Sequence, residues 1–210
     1  MRILFAGNSH ASCVKRAFDS RPEILAGHDV FFFVTTGGAG PSFKLQGDEI
    51  RVIGDPVTRT SSEEVKSLPL SSYDVVVLSA LGYVDGGFCY NNVITKQGLL
   101  FAYKPKGNEI TSRYISRKCY EKVVFSSLRK QNGVRFLSSL RAVFDGKIMV
   151  QPMPIMSEMV RDDPRWALNQ MYGDPIGAHE FFCRTRDEFL KTVCGEVSAE
   201  LLPYPVPEWR

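Results

Sequence analysis

The sequence has no long hydrophobic run, no paired cysteines and no histidine cluster, and each absence argues against a class of protein. No apolar stretch approaches the roughly 20 residues that a membrane-spanning helix needs. The apolar residues before Gly7 are too few for a signal-peptide core of about 7–15 residues. The 5 cysteines are widely spaced without a C-x-x-C pair, and the 3 histidines lie far apart. We therefore expect a cytoplasmic protein with reduced thiols, without a disulfide framework and without a metal site.

Clustered basic charge is also lacking. The chain has 26 Lys and Arg against 23 Asp and Glu, a net charge of +3, with no block of five basic residues. A nucleic-acid or anionic-membrane partner normally needs such a block, so neither is predicted. The 210 residues, 44% of them hydrophobic, are typical of one globular domain over residues 1–210. The oligomeric state stays open.

What the chain does have is a regular alternation of apolar runs with amphipathic stretches. The apolar runs predict strands at residues 2–6, 28–35, 73–79, 147–153 and 199–202. A helix that ends before Pro22 is predicted after the turn at residues 7–10, because Ala11, Val14, Ala17 and Phe18 share a face. Further helices are predicted at residues 111–130, 134–144 and 180–197. Residues 49–53 are predicted as a short edge strand and residues 85–108 as loop with one short element. Strands separated by helices predict an α/β fold of three layers, with a parallel sheet of about five strands.

Ligands of such sheets bind beyond the carboxyl ends of the strands, where the strand order reverses. That edge is predicted to bring together the turn at Ser9, the glycine loop of residues 37–40, Gly82 and the segment of residues 152–154. The turn Gly7-Asn8-Ser9-His10 lies between a strand and a helix, whose first backbone N–H groups have no partner within the helix. Ser9 has two possible roles there: a helix cap worth about 1 kcal/mol, or a nucleophile whose own N–H stabilises an oxyanion.

Residues 3–18, with the sequence ILFAGNSHASCVKRAF, resemble the first signature block of the SGNH/GDSL-type hydrolases. The resemblance implies a flavodoxin-like sheet and a serine nucleophile at Ser9, with Asn8 and His10 beside it as candidates for substrate or oxyanion contacts. It implies that Gly38 or Gly40, after the second strand, completes the oxyanion hole together with Gly82 after the third. The implied activity is that of a serine esterase or O-acyltransferase on an acyl ester, chiefly acetyl, of a carbohydrate or small metabolite. No cofactor is implied.

Two departures from the family pattern concern the remaining catalytic groups. No asparagine stands two residues after Gly82, although Asn91 or Asn92 follows in the next loop. No Asp-x-x-His follows the last predicted strand. Either the chain ends before that block, or another histidine replaces it, or the site does not hydrolyse esters. Asp174 and His179 supply both residue types at a different spacing; the alternative is that Asp174 forms a turn and His179 caps or flanks the next helix.

Two other functions fit parts of the same pattern. A non-catalytic module on this fold would use Ser9 and the helix N-terminus to hold a phosphate or carboxylate. The segments MRILFAG and GHDVFFFVTTGG are also similar to the opening of two-domain glycosyltransferases that use nucleotide sugars. Those enzymes need a second domain of similar size, and 210 residues hold only one.

Overall fold

A computed structural model describes residues 1–7, 9–34, 43–52, 66–79, 99–101, 113–152, 164 and 175–203. Its contacts divide the chain into two compact units. The first comprises Met1–Tyr83, Gln131–Met153 and Thr192–Arg210, and the second comprises Val84–Lys130 and Pro154–Lys191. Each unit has a sheet of its own. The expectation of a single domain stays a prediction.

The described elements follow one another along the chain in this order. The amino-terminal half contains β1 (Arg2–Gly7), α1 (Ser9–Ser20), a 3-10 turn (Pro22–Leu25), β2 (Asp29–Val34), β3 (Phe43–Gln46), β4 (Glu49–Val52), β5 (Ser67–Pro69), a second 3-10 turn (Leu70–Ser72), β6 (Val75–Ser79) and β7 (Leu99–Phe101). The carboxyl-terminal half contains β8 (Arg113–Ile115), α2 (Arg117–Arg129), α3 (Asn132–Val143), β9 (Lys147–Gln151), α4 (Pro175–Glu196) and β10 (Glu200–Leu201).

The main sheet of the first unit has five strands in the order β10-β9-β6-β1-β2, and every neighbouring pair is parallel. Its central strand β6 is buried at all five positions, as expected for a β-branched run covered on both faces. The predicted α/β class and the predicted parallel sheet are therefore confirmed. All five strands match apolar runs in the sequence, although β10 is only two residues long.

α1 covers one face of this sheet. Phe5 and Phe32 from neighbouring strands lie with ring centroids 5.2 Å apart, and Phe18 of α1 lies 5.9 Å from Phe32. Ala11 is fully buried in the same cluster, with Val14 at its edge. The predicted apolar face of α1 is correct except at Ala17, which is exposed at the margin of that face.

The opposite side chains of β2 pack on elements that the sequence does not indicate clearly. Phe33 stacks on Phe43 of β3 at 5.2 Å, and Phe43 lies 6.4 Å from Phe136 of α3. β3, β4 and β5 form an antiparallel sheet in which β4 is the middle strand. The prediction of an edge strand at residues 49–53 is therefore wrong. The flanking strands FKLQ and SLP are too short and mixed to give an apolar run.

The second unit contains β7 paired in parallel with β8, together with α2 and most of α4. The helix predicted at residues 111–130 begins only at Arg117, because residues 113–115 form β8 and the Ser116 side chain caps α2 by accepting a hydrogen bond from the Cys119 N–H at 3.3 Å. α2 and α4 pack through Tyr120 against Phe181, with ring centroids 5.5 Å apart. α4 begins at Pro175, earlier than predicted, since proline is well suited to a first helical turn.

Arg141 of α3 ties the ends of two helices to the sheet of the first unit. Its guanidinium donates to the carbonyls of Phe144 at 2.8 Å and Gly146 at 3.1 Å, which follow α3. It also donates to the carbonyls of Val197 at 2.9 Å and Ser198 at 3.2 Å, which follow α4. A fixed positive charge on carbonyls at helix C-termini is favourable because these oxygens have no partner within the helix.

We expect Arg141→Ala to lower the free energy of unfolding by about 2–4 kcal/mol, because charge-assisted hydrogen bonds are lost and carbonyls lose their partner. Urea denaturation followed by circular dichroism measures the change. Arg135→Ala is the matched control, since Arg135 is exposed on the same helix and its loss should cost no more than about 0.5 kcal/mol. Equal effects of the two substitutions would contradict this role of Arg141.

Cys194, near the end of α4, is 2% exposed, and burial raises the pKa of its thiol to about 11 from the ordinary 9.0. The unfolded thiol therefore ionises first as the pH rises above 9.0. We expect the free energy of unfolding to fall between about pH 9 and pH 11, and Cys194→Ala to remove part of this dependence on pH.

In native protein at pH 8, iodoacetamide should modify the exposed Cys13 and Cys119 but not Cys194, as read by peptide mass spectrometry. Fast native labelling of Cys194 would contradict this assignment.

Candidate active site

The carboxyl edge of the main sheet contains the point where the strand order reverses. From β1 the chain proceeds to β2 on one side, whereas β9 and β10 extend the sheet on the other side of β6. The carboxyl ends of β1 and β6 therefore lie on either side of the reversal. In open parallel sheets, ligands bind at this position.

Gly7 ends β1 at the reversal point, where the backbone of β6 and helix α1 both approach closely. A Cβ built on Gly7 would lie 2.5 Å from the Ser79 carbonyl oxygen and 2.7 Å from the Ala11 Cβ. Both distances are shorter than atoms tolerate, so only glycine fits. The glycine of the Gly-Asn-Ser turn thus has a packing reason, which is the close approach of strand and helix.

α1 begins at Ser9, two residues after β1 ends. The first N–H groups of a helix lack intrahelical partners and carry the positive end of the helix dipole. The first turn of α1 contains no acidic residue that would neutralise this end. The backbone start of α1 therefore lies beside the reversal point, with donors suited to a negatively charged oxygen.

The last residues of four neighbouring strands form one row across the carboxyl edge. Gly7 is in register with Val34 on one side and with Ser79 on the other, and Ser79 is in register with Gln151. Ser79 is 2% exposed. The Oε1 atom of Gln151 is buried and has no hydrogen-bond partner among the described residues. Neither side chain was predicted from the sequence as part of a site. The signal that could have indicated them is a polar residue at the carboxyl end of an apolar strand.

The opposite, amino edge of the sheet differs because its polar groups are paired. The Arg2 N–H donates to Asp74 Oδ2 at 2.6 Å, and the Arg2 guanidinium lies 3.3 Å from Asp29 and 5.5 Å from the ring centroid of Tyr73. Burial raises the pKa of Tyr73, although the Arg2 charge opposes the shift. His28 also lies at this edge, immediately before the six residues of β2, and is therefore about 20 Å from the carboxyl edge.

The structure describes three of the predicted site residues, Ser9, His10 and His179, and not the others. The backbones of Ser9 and His10 form the first turn of α1 in the first unit. His179 is the fifth residue of α4, inside the helix rather than flanking it, and belongs to the second unit. Asn8, Gly38, Gly82 and Asp174 lie outside the described residues, as do Gly40, Asn91 and Asn92. The catalytic assignments of all these residues stay predictions.

The described residues also bear on a metal site and on a membrane span. No group of three His, Cys, Asp or Glu side chains among them is arranged to hold a metal ion. Within the same described part of the chain, no helix has the length and apolar character needed to span a bilayer. Comparisons with protein-family models, with curated proteins and with solved structures found no match.

We expect Gly7→Ala to lower the free energy of unfolding by about 1–3 kcal/mol, because the added methyl group overpacks the junction. The control is Gly195→Ala, in a helix where a new Cβ meets nothing within 4 Å and alanine should stabilise by up to about 1 kcal/mol. Thermal and urea denaturation of both variants measure the expected decrease in stability for Gly7→Ala and the expected increase for Gly195→Ala. A neutral Gly7→Ala would contradict the close approach of β1, β6 and α1.

Proposed function

We propose that this protein is an SGNH-like serine esterase or O-acyltransferase acting on an acyl ester, chiefly acetyl, of a carbohydrate or small metabolite. The observation that carries the proposal is the start of α1 at Ser9, directly beside the point where the strand order reverses. A serine on a tight strand-to-helix turn has both a hydroxyl for attack and backbone N–H groups for the resulting oxyanion. Comparison with family models adds no support, so the proposal depends on this geometry and on the resemblance of residues 3–18.

In the proposed reaction, Ser9 Oγ attacks the acyl carbonyl carbon while a histidine accepts the hydroxyl proton. The Ser9 N–H stabilises the oxyanion together with backbone N–H groups at Gly38 and Gly82, while Asn8 and His10 contact the substrate. The intermediate collapses to the acyl-enzyme, and the histidine returns its proton to the departing alcohol. Water then attacks the acyl group in an esterase, or a second hydroxyl does so in an acyltransferase.

For the general base we propose His179, with Asp174 orienting it. The position of His28 supports this choice by elimination, because it precedes β2 at the amino edge, about 20 Å from the proposed site. His10 is the alternative base, as the residue next to Ser9. A histidine base must be unprotonated to accept the serine proton, so activity should fall toward acid pH.

We further propose that the fold is a three-layer α/β/α arrangement of the flavodoxin-like type. The observed strand order supports it, since the main-sheet strands numbered along the chain run 2-1-3-4-5. The packing of α1 on one face of β2 also supports it. We place the protein in the cytoplasm, which agrees with described cysteines that form no disulfide.

We expect a fluorophosphonate probe to label Ser9, and Ser9→Ala to abolish labelling and to lower p-nitrophenyl acetate turnover by about 1,000-fold or more. His179→Asn should lower kcat/KM comparably if His179 is the base. His28→Asn is the control and should keep full activity. Gel fluorescence of the labelled protein and initial rates from pH 5 to pH 9 measure these effects.

Two outcomes would contradict parts of this proposal. If the wild-type protein neither labels nor hydrolyses the ester, while inorganic phosphate raises its melting temperature, the hydrolase proposal is wrong. The protein is then a non-catalytic anion-binding module that uses the same helix N-terminus. If His10→Asn, rather than His179→Asn, removes activity, the base assignment changes and the nucleophile remains.

A further inference from the structure

Gln151 has a buried oxygen without a hydrogen-bond partner among the described residues. The atom is its amide Oε1, whereas Arg2, Asp29 and Asp74 at the opposite edge of the sheet are paired. Burying a carbonyl oxygen without a donor is unfavourable, because the hydrogen bonds that it made to water are lost without replacement. Such an atom calls for a hydrogen-bond donor from beyond the described residues, and a bound ligand is one source of that donor.

The location of Gln151 links this oxygen to the proposed active site. It is the last residue of β9 and is in register with Ser79, which is in register with Gly7. Met149, two residues earlier, packs on the apolar cluster beneath α1. Because side chains two residues apart share a face of the sheet, Gln151 lies on the α1 face. Two strand spacings separate its backbone from that of Gly7, or about 10 Å.

We propose that Gln151 binds a free hydroxyl group on the alcohol portion of the substrate, and so selects esters of sugars or polyols over esters of simple alcohols. This inference rests on the proposed esterase function. An acyl group such as acetyl has no hydrogen-bond donor, so a donor that the substrate supplies to Oε1 comes from the alcohol portion. A hydroxyl both donates and accepts, so neighbouring hydroxyls of a polyol match the oxygen and the NH₂ of one amide.

The distance agrees with this assignment. When the carbonyl carbon of the ester lies at the start of α1, we expect the alcohol portion to extend along the carboxyl edge of the sheet. A spacing of about 10 Å between backbones is covered by the glutamine side chain on one side and a polyol on the other. The hydrogen bond forms in the bound substrate and persists in the transition state, so its loss should raise KM more than it lowers kcat.

The experiment compares two acetyl esters that differ only in free hydroxyls, glycerol monoacetate and propyl acetate. In Gln151→Met, which keeps the length of the side chain and removes both polar atoms, we expect the ratio of kcat/KM values for these esters to fall about 3- to 10-fold. The change should come mainly from KM for glycerol monoacetate. Gln151→Glu keeps an acceptor oxygen and should hold the ratio within about twofold of wild type. Met149→Leu, on the same strand and face, is the matched control and should leave the ratio unchanged.

The outcomes separate this inference from the proposed function. Wild-type protein that hydrolyses neither these esters nor p-nitrophenyl acetate, and does not react with the fluorophosphonate probe, overturns both. Wild-type protein that hydrolyses both esters, with the same ratio in Gln151→Met, overturns the role of Gln151 alone. The melting temperature of Gln151→Met should equal or exceed that of wild type, because an unsatisfied buried oxygen has been removed. A melting temperature well below wild type also overturns the inference, since the amide would then have a structural partner.

Discussion

The close approach of β1, β6 and α1 at Gly7 is the constraint on which the candidate site depends. A side chain at this position would meet the Ser79 carbonyl oxygen at 2.5 Å and the Ala11 Cβ at 2.7 Å. Without a side chain, α1 begins two residues after β1 and packs its apolar face on Phe5 and Phe32. The same contact brings the helix start to the point where the strand order reverses, so core packing and site position have one cause.

Among the described residues, the polar groups at the two edges of the main sheet differ in how they are hydrogen-bonded. At the amino edge, Arg2 and Asp74 close the junction of β1 and β6 through paired groups, and Asp74 also accepts a backbone hydrogen bond from Lys147 at 3.1 Å. At the carboxyl edge, Gln151 has a buried oxygen without a described partner. Polar groups that are hydrogen-bonded to each other stabilise a fold. The Gln151 oxygen, in the same row as Gly7, has no such partner among the described residues and is therefore available to accept a hydrogen bond from a ligand. That contrast supports a binding role for the carboxyl edge independently of the resemblance at Ser9.

How much of the fold the sequence predicts depends on how local each signal is. The five parallel strands were predictable because a strand buried on both faces is a continuous apolar run, as at residues 75–79. The antiparallel sheet was not, since FKLQ and SLP show no such run and become strands only by pairing with β4. Residues 113–115 were assigned to a helix for the same reason, because their strand character comes from pairing with β7.

For the candidate site, the sequence by itself determined the local chemistry: a glycine, a serine and a helix start in the turn after the first strand. It also indicated that the turns after parallel strands meet at one edge. Only the tertiary structure decided that Gly7 is required by contact with Ser79 and Ala11, and that Gln151 lies in the same row with an oxygen that has no partner among the described residues. The physical reason is that register and close approach arise between segments distant in the chain, and no local pattern of residue types encodes the distance between them.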